Sequence, residues 1–175
     1  MNNNKGFTLI EMIMVITLLG IVAAIIAIPF LQGVKGWFDA TTREGITQSG
    51  RIGIERMTRE IRNTARTAAN APCISAAALN SFTFSDSSGD LTNCNSITFS
   101  LSGTNLLRCP DPACATQFTL ADNVTLLTFT YYDANNTPGA SAANTRRISI
   151  EIESTKGGET LRKYSEVYLS NMKGY

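Results

Sequence analysis

The 25 residues 7–31, FTLIEMIMVITLLGIVAAIIAIPFL, form an apolar run in which only Thr8, Glu11 and Thr17 carry polar side chains. As helix this run extends roughly 37 Å at ~1.5 Å per residue. That exceeds the ~30 Å hydrocarbon core of a bilayer, so the N-terminal end is constrained to be a membrane-spanning or helix-packing rod. Glu11 is the anomaly within it. An ionised carboxylate at mid-bilayer costs about 2.5–3.5 kcal/mol on insertion scales, and such residues mark functional sites by default. One account is that Glu11 lies only four residues inside the run, snorkels to the interface and suits the helix dipole. The other is that it has a partner.

The flank supplies one. An ordinary secretory signal places its small-residue cleavage site beyond a 7–15-residue apolar core. Here the polar leader MNNNKG, with the single charge of Lys5, sits directly against a run too long for such a core. A cut after Gly6 would leave the whole apolar helix on the mature chain and create an α-amino group on Phe7. The i, i+4 spacing puts that amine and Glu11 on one helical face. In a low-dielectric setting the unpaired state is costly, so the pair, within one chain or between neighbours, can fix axial register between packed helices.

The string KGFTLIE, residues 5–11, followed by an apolar helix, resembles the class III signal of type IV pilins and pseudopilins. The resemblance implies that a prepilin peptidase cuts between Gly6 and Phe7 and methylates Phe7, and that Glu11 is the carboxylate used in assembly. It implies as partners other pilin or pseudopilin subunits, the peptidase, an inner-membrane assembly platform and, before assembly, membrane lipid. The expected organisation is a leader at 1–6, a transmembrane and assembly helix at 7–31, an amphipathic continuation at 32–68 and a disulfide-containing head at 69–175.

Of 15 Lys and Arg against 14 Asp and Glu, only Lys5 leaves with the leader, so the mature side chains balance at 14 each. No global field steers the chain to nucleic acid. Lys5 and the terminal amine face Lys35 and Arg43 across the span, so the positive-inside count does not set orientation. The cysteines favour an oxidising exterior, hence a periplasmic head.

Beyond the span, Ile46, Gly50, Ile54, Met57 and Ile61 recur at helical intervals as one apolar stripe. Opposite lie Arg51, Glu55, Arg56, Arg59, Glu60, Arg62 and Arg66, offering the i, i+4 pairs Arg51–Glu55, Glu55–Arg59 and Arg56–Glu60. They read as a solvated face. Interior Gly33, Gly36, Gly45, Gly50 and Gly53 each cost about 1 kcal/mol relative to Ala, either to allow close packing or to let the middle of the helix bend. After Arg66 the period becomes alternating, and strands are expected at 81–85, 96–101, 117–120, 124–132, 147–153 and 162–169. The stretch DANNTPGASAAN reads as an exposed loop. The fold class is therefore α+β, one long N-terminal helix packed on an antiparallel sheet.

Residues 51–62, RIGIERMTREIR, resemble the helix of J-type minor pseudopilins of type II secretion and of minor pilins such as those of mannose-sensitive haemagglutinin pili. Those proteins often carry Asp-Ile-Arg where this chain has Glu60-Ile61-Arg62. The chain has no histidine and no nucleophile-elbow or phosphate-loop motif, so nothing groups its Cys, Ser and carboxylates with a base, and neither enzyme activity nor a cofactor is expected. Cys73, Cys94, Cys109 and Cys114 allow three pairings. Cys109–Cys114 across the CPDPAC turn and Cys73–Cys94 at the helix exit are the expected bridges, a four-thiolate zinc site the alternative. Asp86, Ser88, Asp90 and Asn93 around Gly89 could offer hard oxygen ligands to calcium, but without the closing bidentate Glu they read as an exposed turn. The expected function is a filament subunit, minor or initiating; the alternatives are a major pilin and a bitopic periplasmic binding or adhesive domain that never assembles.

Overall fold

The computed structural model describes residues 8–169. Helix α1, Leu9–Arg62, begins within the apolar run and runs through Pro29, whose missing N–H leaves the carbonyl of Ile25 without its i+4 donor. The chain divides into two units, Met1–Thr41 and Thr42–Tyr175.

In the first unit the described residues from Leu9 onward are helix. Its large apolar residues are all exposed, from Leu9 at 78% to Phe38 at 58%. Thr17, the polar group deep in the run, returns its hydroxyl proton to the carbonyls of Ile13 (3.0 Å) and Met14 (2.9 Å). That internal satisfaction is what a hydroxyl needs where no water is at hand.

In the second unit α1 buries Ile46, Gly50, Gly53, Ile54, Met57 and Ile61. The buried set is the apolar stripe of the sequence with Gly53 added. The helix stops at Arg62, inside the 32–68 segment expected for it. Thr64 ends it: its hydroxyl turns back to the carbonyl of Ile61 (2.6 Å), and the next residues are taken by the head through a Thr64–Asp86 bridge.

The head is two antiparallel sheets rather than one. The first is a meander in the order β1 (Ile74–Ala77), β2 (Ser81–Phe84), β3 (Ile97–Ser102), β4 (Asn105–Cys109), β5 (Phe118–Ala121). The second holds β6 (Val124–Tyr132), β7 (Arg147–Lys156) and β8 (Glu159–Tyr168), with β7 central. Two strands, β1 and β4, were not anticipated, and β7 and β8 run to Lys156 and from Glu159, past their expected limits. Gly157 and Gly158, both at positive φ (62° and 84°), close that hairpin in two residues, the geometry for which Gly-Gly is suited.

Alternation decides what is buried. Ile148, Ile150 and Ile152 point inward from β7, and the core they join includes Phe82, Phe84, Phe99, Phe129, Leu106, Val124, Met57 and Ile61. Phe82 carries the aromatic contacts between the sheets, its ring 5.7 Å from Phe129 and 5.8 Å from Tyr131 of β6. Hydrogen bonds also cross: the main-chain N–H of Phe129 donates to Leu79 (2.7 Å), and the Tyr131 hydroxyl to the carbonyl of Ala78 (2.8 Å).

The glycines of α1 separate into two kinds. A Cβ on Gly53 would lie 3.0 Å from Leu106 Cδ2 and 3.3 Å from Ala121 Cβ, whereas one on Gly45 would meet nothing within 4 Å. Gly53 is where the helix approaches the first sheet closely. Gly45→Ala is thus expected to raise stability by up to about 1 kcal/mol through helix propensity, and Gly53→Val to lower it by about 1–3 kcal/mol through overpacking. Denaturant midpoints of the two variants check the contrast; equal shifts would contradict it.

Candidate functional site

Three features carry the chemistry: the exposed apolar helix, the carboxylate in its first turn, and the clipped head. Thr8 precedes the helix and accepts the N–H of Glu11 on its hydroxyl at 3.4 Å, and Glu11 lies in the acidic first turn. Thr8-Leu9-Ile10-Glu11 therefore has the form of a capping box, with Glu11 at the third helical position. The pattern was legible in the sequence as T-x-x-E ahead of an apolar run, and the Thr8 half of it is formed, through the Glu11 N–H. Gly6 and Phe7 lie outside the described residues.

In the head, Cys73 is joined to Cys94 and Cys109 to Cys114, each pair with Cα atoms 4.9 Å apart. No described cysteine is free. The first bridge sits with Ala65 in a small buried cluster of its own. Around it the backbone closes a loop: Cys73 N–H donates to Ala65, Ala65 N–H to Ser85, and Ser85 N–H to Cys73, at 2.8, 2.8 and 3.0 Å. The bridge ties the start of β1 to the turn ahead of β3, and these backbone bonds hold the exit of α1 beside it. The second bridge closes the Pro110–Pro112 turn behind β4.

The charged face of α1 is only partly a solvated one. Arg51–Glu55 is an exposed pair at 2.6 Å, of a kind that contributes little. Glu60, in contrast, is only 15% exposed and bridges Arg56 on its own helix and Arg108 of β4, both at 2.7 Å. Arg108 was invisible to helix-face reasoning, because β4 itself was not expected. Arg43 pairs with Glu159 at 2.7 Å and ties the helix to the β7–β8 turn. On the outer face of the second sheet, Arg147 pairs with Glu166 and stacks over the Tyr132 ring at 3.8 Å.

The 85–93 turn is held by its own groups. Asp86 Oδ1 accepts from the N–H and hydroxyl of Ser88. Asp90 accepts from the side-chain amide of Asn93 and from the N–H groups of Thr92 and Asn93, and these bonds, the Asn93 amide first, hold its carboxyl below the usual range. Among the described residues no three His, Cys, Asp or Glu gather as a metal site.

Residues 1–27 match a family described as the prokaryotic N-terminal methylation motif. No curated protein matches the chain in sequence. The motif, continuous with an exposed apolar helix long enough to cross a membrane, supports a type IV pilin-like subunit anchored in the inner membrane. It implies interaction with other pilin subunits and with a prepilin peptidase.

Proposed function

We propose that the chain is a minor or initiating structural subunit of a type IV pilus or type II secretion pseudopilus. A prepilin peptidase removes residues 1–6 and methylates Phe7. Residues 7–31 hold the subunit in the inner membrane, with the head 69–175 on the periplasmic side, and then pack laterally in the filament, where Glu11 sets register. The observation that carries this reading is the methylation motif at 1–27 running directly into a helix whose apolar side chains are exposed all round. Such a rod needs lipid or like helices to cover it. The resemblance of residues 51–62 to J-type subunits supports the minor role, and the paired cysteines support an oxidising compartment.

Intact-mass analysis of the chain from a host that carries a prepilin peptidase tests the reading. The expected product lacks residues 1–6 and is one methyl group heavier than the remaining sequence. An uncleaved Met1, or a cut beyond residue 31, would sink it.

A further inference from the structure

The apolar character of α1 does not end at Leu31; it narrows. Phe30, Val34, Trp37 and Phe38 are all exposed and follow the i, i+4, i+7, i+8 spacing of a single helical stripe. Gln32, Lys35 and Asp39 occupy the other side. Trp37 and Phe38 meet edge to face, ring centroids 5.3 Å apart.

Axial distances place this stripe. Trp37 follows Glu11 by 26 residues, about 39 Å at ~1.5 Å per residue. The hydrocarbon core is ~30 Å thick and the bilayer with its headgroup layers ~40–45 Å. With Glu11 at the edge of one headgroup layer, an upright helix would carry Trp37 about 9 Å past the ~30 Å core, beyond a headgroup layer of roughly 5–7 Å; a tilt of ~20° shortens the span to about 37 Å and brings Trp37 into that layer. Asp39 and Arg43 then stand at its outer edge and in water. Trp is the residue type that favours this level, and a neighbouring Lys reaches lipid phosphate. A run longer than the core tilts, and a tilted helix lowers one side toward the lipid. A stripe confined to one side fits that posture.

We infer that Phe30, Val34, Trp37 and Phe38 form an interfacial anchor that seats the unassembled subunit against phospholipid headgroups and so fixes the depth of α1. The occupant is the acyl–headgroup boundary of a phospholipid leaflet. This rests on the membrane-anchored reading above.

Trp37 is the one tryptophan of the chain, so its emission reports the site without labelling. The full chain is reconstituted at low protein-to-lipid ratio in phosphatidylcholine–phosphatidylglycerol vesicles that carry nitroxides on the headgroup, near the acyl carbonyl, or near the acyl terminus. Blue-shifted emission, quenched most by the first two, is expected. Quenching greatest near the acyl terminus would overturn the inference, as would unquenched emission, whether red-shifted in water or blue-shifted beneath a second copy. A second probe, Ile21→Trp in a Trp37→Phe background, lies about 15 Å from Glu11, half the ~30 Å core. It must be quenched most by the terminal label. Failure of that probe overturns the membrane reading and this inference with it; success there with Trp37 unquenched overturns this inference alone.

Discussion

Replacing Cys73 and Cys94 together by Ala is expected to destabilise the head more than replacing Cys109 and Cys114 together. The bridge spans 21 residues, and by loop-closure entropy that is worth about 3 kcal/mol, against about 2 kcal/mol for a loop the length of Cys109–Cys114. For a unit of this size the first loss lowers the thermal midpoint by about 10 °C. Structure adds to entropy. Cys73 is fully buried and shares its cluster with Ala65 and Cys94, so the shorter side chains also leave a void. The backbone loop through Ala65, Ser85 and Cys73 then has no covalent tie, and the end of α1 is the first part expected to loosen. Circular dichroism of the full chain in detergent, with non-reducing peptide mapping to verify the bridges, gives the comparison. A midpoint unchanged in the Cys73, Cys94 double variant, or lowered less than in the Cys109, Cys114 variant, would refute this ordering.

Helix and sheet were unequally legible in the sequence. The stripe Ile46, Gly50, Ile54, Met57, Ile61 could be read directly, because one helical face meets one core and the period has a single cause. Ile148, Ile150 and Ile152 were legible for the same reason in a strand. β4 was not: Asn105–Cys109 has the burial pattern exposed, buried, half, half, buried, since it lies between β3 and β5 and under α1 at once, so no alternation survives. β1, Ile74–Ala77, buries only Ile74, and small alanines carry no strand signal. β7 and β8 extend past 153 and before 162 because the polar Ser154–Lys156 and Glu159–Leu161 carry no apolar alternation, although Gly157-Gly158 between them marks the turn. The chemistry followed the same rule. Local patterns such as the Arg56–Glu60 pair were visible, whereas Arg108 on Glu60 required knowledge of which strand the helix crosses. The first-turn place of Glu11 was readable, and so was the T-x-x-E spacing that puts Thr8 ahead of the helix.

That cap sharpens the test of Glu11. If the carboxylate pairs with the amine that cleavage would create on a neighbouring Phe7, both Glu11→Gln and Glu11→Ala should still insert and be cleaved, because each removes a costly charge from the apolar run and neither touches the scissile bond. Incorporation into filaments should fall by about two orders of magnitude or more, since removing one partner of a buried pair costs about 3–5 kcal/mol. A capping role predicts a different pattern. Gln serves at the third helical position of a capping box nearly as well as Glu, so Glu11→Gln would assemble normally and only Glu11→Ala would lose the first turn, at a cost of about 1 kcal/mol. The Gln variant therefore separates charge from cap. Sheared filament and membrane fractions, quantified for the wild-type chain and both variants, give the ratio directly. Equal depletion of Gln and Ala assigns Glu11 to the amine, and depletion of Ala alone assigns it to the helix start.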